Sequence, residues 1–255
     1  MRRTLAITRN TVREVLRERV VLVLALFGAC LALGAQGLAP LALGEGRKIV
    51  IDFGLAAASM LATLLAVFLG STLLHKELDR RTIYAVMAKP IHREEFLLGR
   101  FLGLWTTAAF LLAGMTGIVL AVVTVCYRAT PWTAVQALWL TVLELGIVTA
   151  LVTLFSAFTT PALTAFFTVA VIVAGHFAED LRYFASQGAA PAVTALTEAA
   201  YWVLPHLELF NARGLVSHGV AVEPERLAFA TAYGLLYAGG VLALAGTVFR
   251  RREFR

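Results

Sequence analysis

Glu144 is an ionisable residue inside an otherwise apolar stretch that begins near Trp132. A charge in such surroundings is costly. It marks either a transport function or a group held protonated or paired inside a bundle, and the spacing alone names no partner. His176, Glu179 and Asp180 are the nearest approach to a metal site, because His and Glu at i and i+3 share a helix face. Two such ligands fall short of a zinc set, so the cluster reads as polar residues marking a helix that leaves an apolar phase. Cys30 and Cys126 both lie in apolar runs, without CxxC spacing or an adjacent His. Gly44-Glu45-Gly46-Arg47-Lys48 echoes a phosphate-binding loop but lacks the G-x-x-x-x-G-K-[ST] spacing. Neither a G-x-S-x-G elbow nor an H-E-x-x-H helix occurs. The expectation is therefore a chain with no catalytic residue, no metal and no cofactor of its own.

The elements that would hold these residues are apolar helices. Hydrophobic residues make up 60% of the 255 residues, charged residues only 15%, and the mean hydropathy is +0.81. A soluble domain is nearer half apolar and a quarter charged, so these values point to an integral membrane protein. Six runs are long enough to cross about 30 Å of hydrocarbon, one of them marginally. They lie at about 20–38, 53–74, 101–126, 132–158, 161–177 and 228–249. From Leu145 to Ala178 there is no charge at all. As a single helix this run would be roughly 50 Å long, too long for one crossing. A turn at Thr159-Thr160-Pro161 divides it, with Pro161 in the first turn of the next helix. In the outer segment 179–226, Pro191 starts a short apolar helix that Pro205 ends, dipping into the outer leaflet.

Residues 1–19 carry six arginines yet keep Leu5, Thr8, Val12, Val15 and Leu16 on one helical arc. A basic amphipathic helix leading into a span lies on the membrane surface. A cleaved signal peptide is the rival, disfavoured because the charge-free run from Val20 to Gly44 exceeds a normal h-region. The net charge is +6, but 16 of the 22 Lys and Arg fall in segments 1–19, 75–100 and 250–255. Those segments share one side of the membrane when six spans are drawn. The positive-inside rule then puts both termini in the cytoplasm, and the basic residues serve orientation rather than nucleic-acid binding.

Gly54, Ala58, Ala62, Ala66 and Gly70 set a small residue at every fourth position of the second run. Such a stripe lets helix backbones approach closely, either within one chain or at a subunit interface or pathway. The cytoplasmic segment 75–100 is a charged helix end, a short apolar run from Ile83 to Ala88, a break at Lys89-Pro90, and a second helix rising into the third run. Leu78, Met87, Ile91 and Phe96 there need a cover from outside the chain, the surface a partner protein would grip.

This segment resembles the corresponding loop of the permeases of type V ABC exporters, the ABC-2-type permease family. The likeness runs through Lys76, Glu77, Asp79, Arg80, Thr82, Lys89, Pro90, Arg93, Glu95, Phe96, Gly99 and Arg100. Gly175-His176, Glu179-Asp180-Leu181 and Leu204-Pro205 add secondary support. The resemblance implies an all-α membrane protein of six transmembrane helices, with residues 1–19 as an interfacial elbow helix and a short external helix between the fifth and sixth spans. It implies a single permease domain in a bacterial inner membrane, paired with a second permease copy or a related permease. ATP and magnesium would sit on a separate ABC ATPase subunit. Glu77, Asp79, Arg80, Arg81, Thr82, Ile83, Met87, Lys89, Pro90, Arg93 and Glu95 would form the coupling element gripped by that ATPase, and the second and fifth helices would border the path. Two other classes would leave different marks. A membrane-embedded lipid-modifying enzyme would need Asp or His clustered in an inner loop. An ATP-independent secondary transporter would show several intramembrane charges and repeated halves.

Overall fold

A computed structural model describes residues 8, 9, 12, 20–38, 45–79, 93–128, 131–187 and 190–251, and most of those residues are helical, with no strand among them. The long helices are α1 (Val20–Leu38), α2 (Gly46–Asp79), α3 (Arg93–Tyr127), α4 (Ala134–Ser156), α5 (Pro161–His176) and α9 (Pro224–Arg251). Between the last two lie α6 (Ala178–Ser186), α7 (Pro191–Val203), a 3-10 turn over Leu207–Phe210, and α8 (Arg213–Ser217). Four helices are long and apolar enough to cross a membrane, within Gly46–Thr72, Glu95–Tyr127, Ala134–Ser156 and Pro224–Phe249. A fifth crossing exists if α5 and α6, bent by 55° at their junction, count as one broken span. Helix α1 is 19 residues long, and its side chains are described only in part. The amphipathic segment 1–19 lies outside the described residues except for positions 8, 9 and 12. Thr8 Oγ1 there donates to the Gly99 carbonyl at 3.2 Å.

Helix α4 is the hub, packed by α2, α3, α5 and α9. In its apolar span 72% of the residues are buried, against 17% for α9, which is what separates a central helix from a peripheral one. Its polar residues do not resist that burial. Thr149, Thr153 and Ser156 return their hydroxyls to carbonyls one turn back at 2.7–2.8 Å, so these three donors are satisfied within the helix. Trp105 of α3 donates its indole N–H to Val142 O at 2.8 Å and lies flat against Gly146, where a side chain would meet the ring.

The small-residue stripe of α2 is wholly buried inside the chain, with Ala58 and Ala62 at 0% exposure. A Cβ on Gly54 would stand 2.9 Å from Val119 of α3, and one on Gly70 would stand 2.6 Å from Val152 of α4. The stripe therefore sits where α2 approaches α3 and α4. Helix α2 starts before the apolar run does, because Lys48 pairs with Glu45 at 2.9 Å in its first turn. Hydrogen bonding to Lys48 and its charge hold the Glu45 carboxyl below the ordinary carboxylate range.

The expected division of the charge-free run is present. Thr160 is extended, Pro161 occupies the first turn, and α5 runs for only 16 residues. Segment 179–226 differs from the single short helix expected there. Pro191–Val203 is that helix, but α6, the 3-10 turn and α8 accompany it. Specific polar contacts order them. Arg182 of α6 forks onto Glu198 of α7 at 2.9 and 3.2 Å and covers the Tyr201 ring at 4.4 Å. Tyr201 meets the His206 ring edge-on, and Tyr233 of α9 accepts the His206 backbone N–H at 2.9 Å. Tyr237 donates to Val203 O at 2.9 Å, and Gln136 of α4 brackets Val222 just before α9. Scattered long-range contacts of this kind leave no periodic mark on a sequence.

Candidate functional site

The polar residues of the bundle meet where the middle of α4 faces the end of α5. Glu144 is one of the few charged groups buried among the described residues, with 9% of its surface exposed. Its Oε1 lies 3.5 Å from His176 Nε2, longer than a good hydrogen bond and within ion-pair range. His176 Nδ1 is 3.0 Å from Ile172 O, and since a carbonyl can only accept, Nδ1 carries the hydrogen. Nε2 then faces the Glu144 carboxyl.

This pair lies in a half-open cleft of about 390 Å³, within the size range of small-molecule sites. Helix α2 contributes Ser59 and Thr63, each one position along from the stripe residues Ala58 and Ala62 and so on the adjoining face. The apolar walls include Met60, Leu64, Val169 and Val173, with Phe177 at the junction of α5 and α6. Arg213, the first residue of α8, closes the cleft from the outer segment. Its Nε donates to Asn211 Oδ1 at 3.1 Å and its terminal nitrogen reaches Ser59 Oγ at 3.5 Å.

The geometry divides the cluster that spacing had grouped. His176 turns toward Glu144, whereas Glu179 and Asp180 are exposed on α6. No group of three or more His, Cys, Asp or Glu able to hold a metal occurs among the described residues. Cys30 and Cys126 are both exposed and unbridged. Arg213 and Ser59 were not foreseen as site residues. The only sequence signal for Arg213 is that it is an isolated cation in an apolar outer segment. Arg80, Arg81, Thr82, Ile83, Met87, Lys89 and Pro90 lie outside the described residues. Glu77, Asp79 and Arg93 are placed only as backbone in the ends of α2 and α3. Glu95 is half-buried in the first turns of α3, and Arg100 nearby is 2% exposed, its guanidinium 5.9 Å from the Phe96 ring centre.

Comparison with known proteins gives one family. No curated protein matches the chain. The model of the ABC-2 family transporter proteins matches residues 5–174 of the 255. The matched stretch takes in the stripe of α2, segment 75–100 and Glu144, and stops just short of His176. A match over that much of the sequence, on a bundle with four or five membrane-length helices, means that the chain belongs to the ABC-2 family of transporter proteins.

Proposed function

We propose that the chain is the membrane-spanning permease subunit of an ABC exporter, forming the path and coupling it to ATP hydrolysis on a separate ATPase subunit. The observation that carries this reading is the family match over residues 5–174, which includes the segment expected to meet an ATPase. In this reading α1 and the bent pair of α5 and α6 cross the membrane beside the four helices that are long and apolar enough to do so, which makes six crossings. With the basic residues concentrated at 1–19, 75–100 and 250–255, both termini are cytoplasmic in a bacterial inner membrane. A second copy of the chain completes the transporter, residues 1–19 form the elbow helix, and the ATPase binds magnesium and ATP. Residues Glu77 to Glu95 form the coupling element.

Co-expression with a candidate ABC ATPase subunit tests this reading. The wild-type permease should retain the ATPase through purification and stimulate its hydrolysis in lipid. Burying one apolar side chain such as Met87 is worth roughly 1.5–3 kcal/mol. Met87→Asp replaces that gain with an unpaired charge at the contact and should weaken association by several kcal/mol while leaving insertion intact. Undiminished binding and stimulation by Met87→Asp would remove segment 75–100 from the coupling role.

A further inference from the structure

We propose that the cleft between α2, α4, α5 and α8 binds the anionic head of an amphipathic molecule, a phosphate or carboxylate that carries an apolar tail. That such a ligand is cargo rests on the permease reading, whereas its chemistry rests on the cleft. Glu144 lies 3.5 Å from His176, and Arg213 is the one Lys or Arg in the lining. Among the described residues no carboxylate pairs with its guanidinium, whose polar contacts are Asn211 and Ser59. Glu208, the nearest acidic residue of the outer segment, is exposed, bound by Asn211 Nδ2 at 2.8 Å, and absent from the lining. A guanidinium held at Nε, with its terminal N–H groups left to a single 3.5 Å contact, is arranged to take an oxyanion. Ser59 and Thr63 hydroxyls lie in the same lining.

The rest of the cleft fixes the other half of the ligand. Met60, Val173 and Phe177 are exposed lining residues, so the wall is apolar where it meets its surroundings. A free inorganic anion would gain nothing from that wall, and a wholly apolar molecule would leave the terminal N–H groups of Arg213 with only their 3.5 Å contact to Ser59. An anionic amphiphile satisfies both regions. Its source is either the bilayer, as an acidic lipid, or a soluble amphiphile that enters from the outer side.

The test uses the full-length permease purified with its ATPase in an uncharged detergent and titrated with dodecyl phosphate, inorganic phosphate and dodecyltrimethylammonium. Dodecyl phosphate should bind and the other two should not. Arg213→Gln should weaken that binding by roughly tenfold or more, the worth of one charge-assisted contact, and Arg213→Lys should retain most of it. Val173→Trp fills the mouth from the apolar side, should also reduce binding, and decides the matter if the Arg213 variants fail to fold. A photoactivatable phosphatidic acid in nanodiscs separates the sources. Cross-links to residues 59–63 or 169–177 identify the bilayer, and their absence alongside retained dodecyl phosphate binding identifies a soluble amphiphile. Equal binding of inorganic phosphate, or undiminished dodecyl phosphate binding in folded Arg213→Gln and Val173→Trp, would overturn the proposal. Failure of the ATPase to co-purify would count against the permease reading and leave the titration standing.

Discussion

Gly175, next to last in α5, lies so close to Pro205 that a Cβ built on it would stand 2.6 Å from the Pro205 carbonyl oxygen. The contact is backbone to backbone, and it joins the end of a short membrane helix to the turn that carries Leu207 beneath it. Pro205 O also accepts the Leu207 N–H at 3.0 Å, so the carbonyl is fixed from both sides. Two short motifs that lent secondary support to the family resemblance, Gly175-His176 and Leu204-Pro205, thus form one joint. His176 beyond that joint is aimed at Glu144.

Gly175→Ala should therefore destabilise the outer end of α5. Alanine in a helix gains about 1 kcal/mol over glycine from backbone entropy. A 2.6 Å approach to a fixed carbonyl cannot be relieved by turning a side chain, and overpacking of this kind costs about 1–3 kcal/mol. The steric cost should outweigh the propensity gain. Limited proteolysis of the 187–223 region should accelerate in Gly175→Ala, while cleavage elsewhere stays at the wild-type rate. A more stable variant with an unchanged digest would show that the outer segment moves freely away from α5.

The Glu144–His176 pair should behave as a unit. Glu144→Gln preserves shape and offers an N–H to a neutral Nε2, so its stability should stay within about 1 kcal/mol of wild type. Glu144→Leu leaves the imidazole without that partner in a largely apolar wall, at a cost of about 1–3 kcal/mol. Replacing both residues with leucine should restore most of that loss, because neither group is then stranded. A double-mutant cycle read by thermal unfolding in detergent checks this. Additive single effects would mean that the 3.5 Å approach carries no coupling.

The stripe on α2 yields a stability prediction of its own. Ala62 is 0% exposed, whereas Phe68 on the same helix is 57% exposed. Ala62→Leu should cost about 1–3 kcal/mol through overpacking, and Phe68→Leu should change stability by no more than about 0.5 kcal/mol. Equal thermal midpoints for the two variants would place the stripe at a yielding surface rather than in the bundle.

How far each feature was legible follows from the range of the physics behind it. The turn at Thr160-Pro161 was legible, because a missing N–H and a fixed φ act on their immediate neighbours. The short helix from Pro191 to Val203 was legible for the same reason. The period of the α2 stripe was legible too, but not its target. A four-residue repeat says which residues share a face, and only the fold says that the face meets Val119 and Val152. Glu144 stood out as a charge in an apolar run, yet its partner lies on an antiparallel helix beyond a turn, and no local periodicity links positions 144 and 176. Arg213 was the least legible site residue. It enters the cleft only because the 3-10 turn and α8 fold the outer segment back against α2 and α4.

Orientation gives the last prediction. The 16 basic residues at 1–19, 75–100 and 250–255 lie on one side only if the number of crossings between them is even. The bent pair α5 and α6 is where that parity is most exposed to test, since α5 has only 16 residues and the chain turns by 55° after it. At 1.5 Å per residue α5 is about 24 Å long, just short of the hydrocarbon thickness. In a background with Cys30 and Cys126 replaced by alanine, single cysteines at Arg93 and Arg252 should be shielded from an impermeant thiol reagent in intact cells. One at Gln187, which is exposed beyond α6, should react. If α5 and α6 instead form a re-entrant loop, Gln187 would lie on the same side as Thr160, and its labelling would require a permeabilised membrane. Reaction at Arg252 from outside would make the crossing number odd and overturn the six-span arrangement together with the cytoplasmic C-terminus.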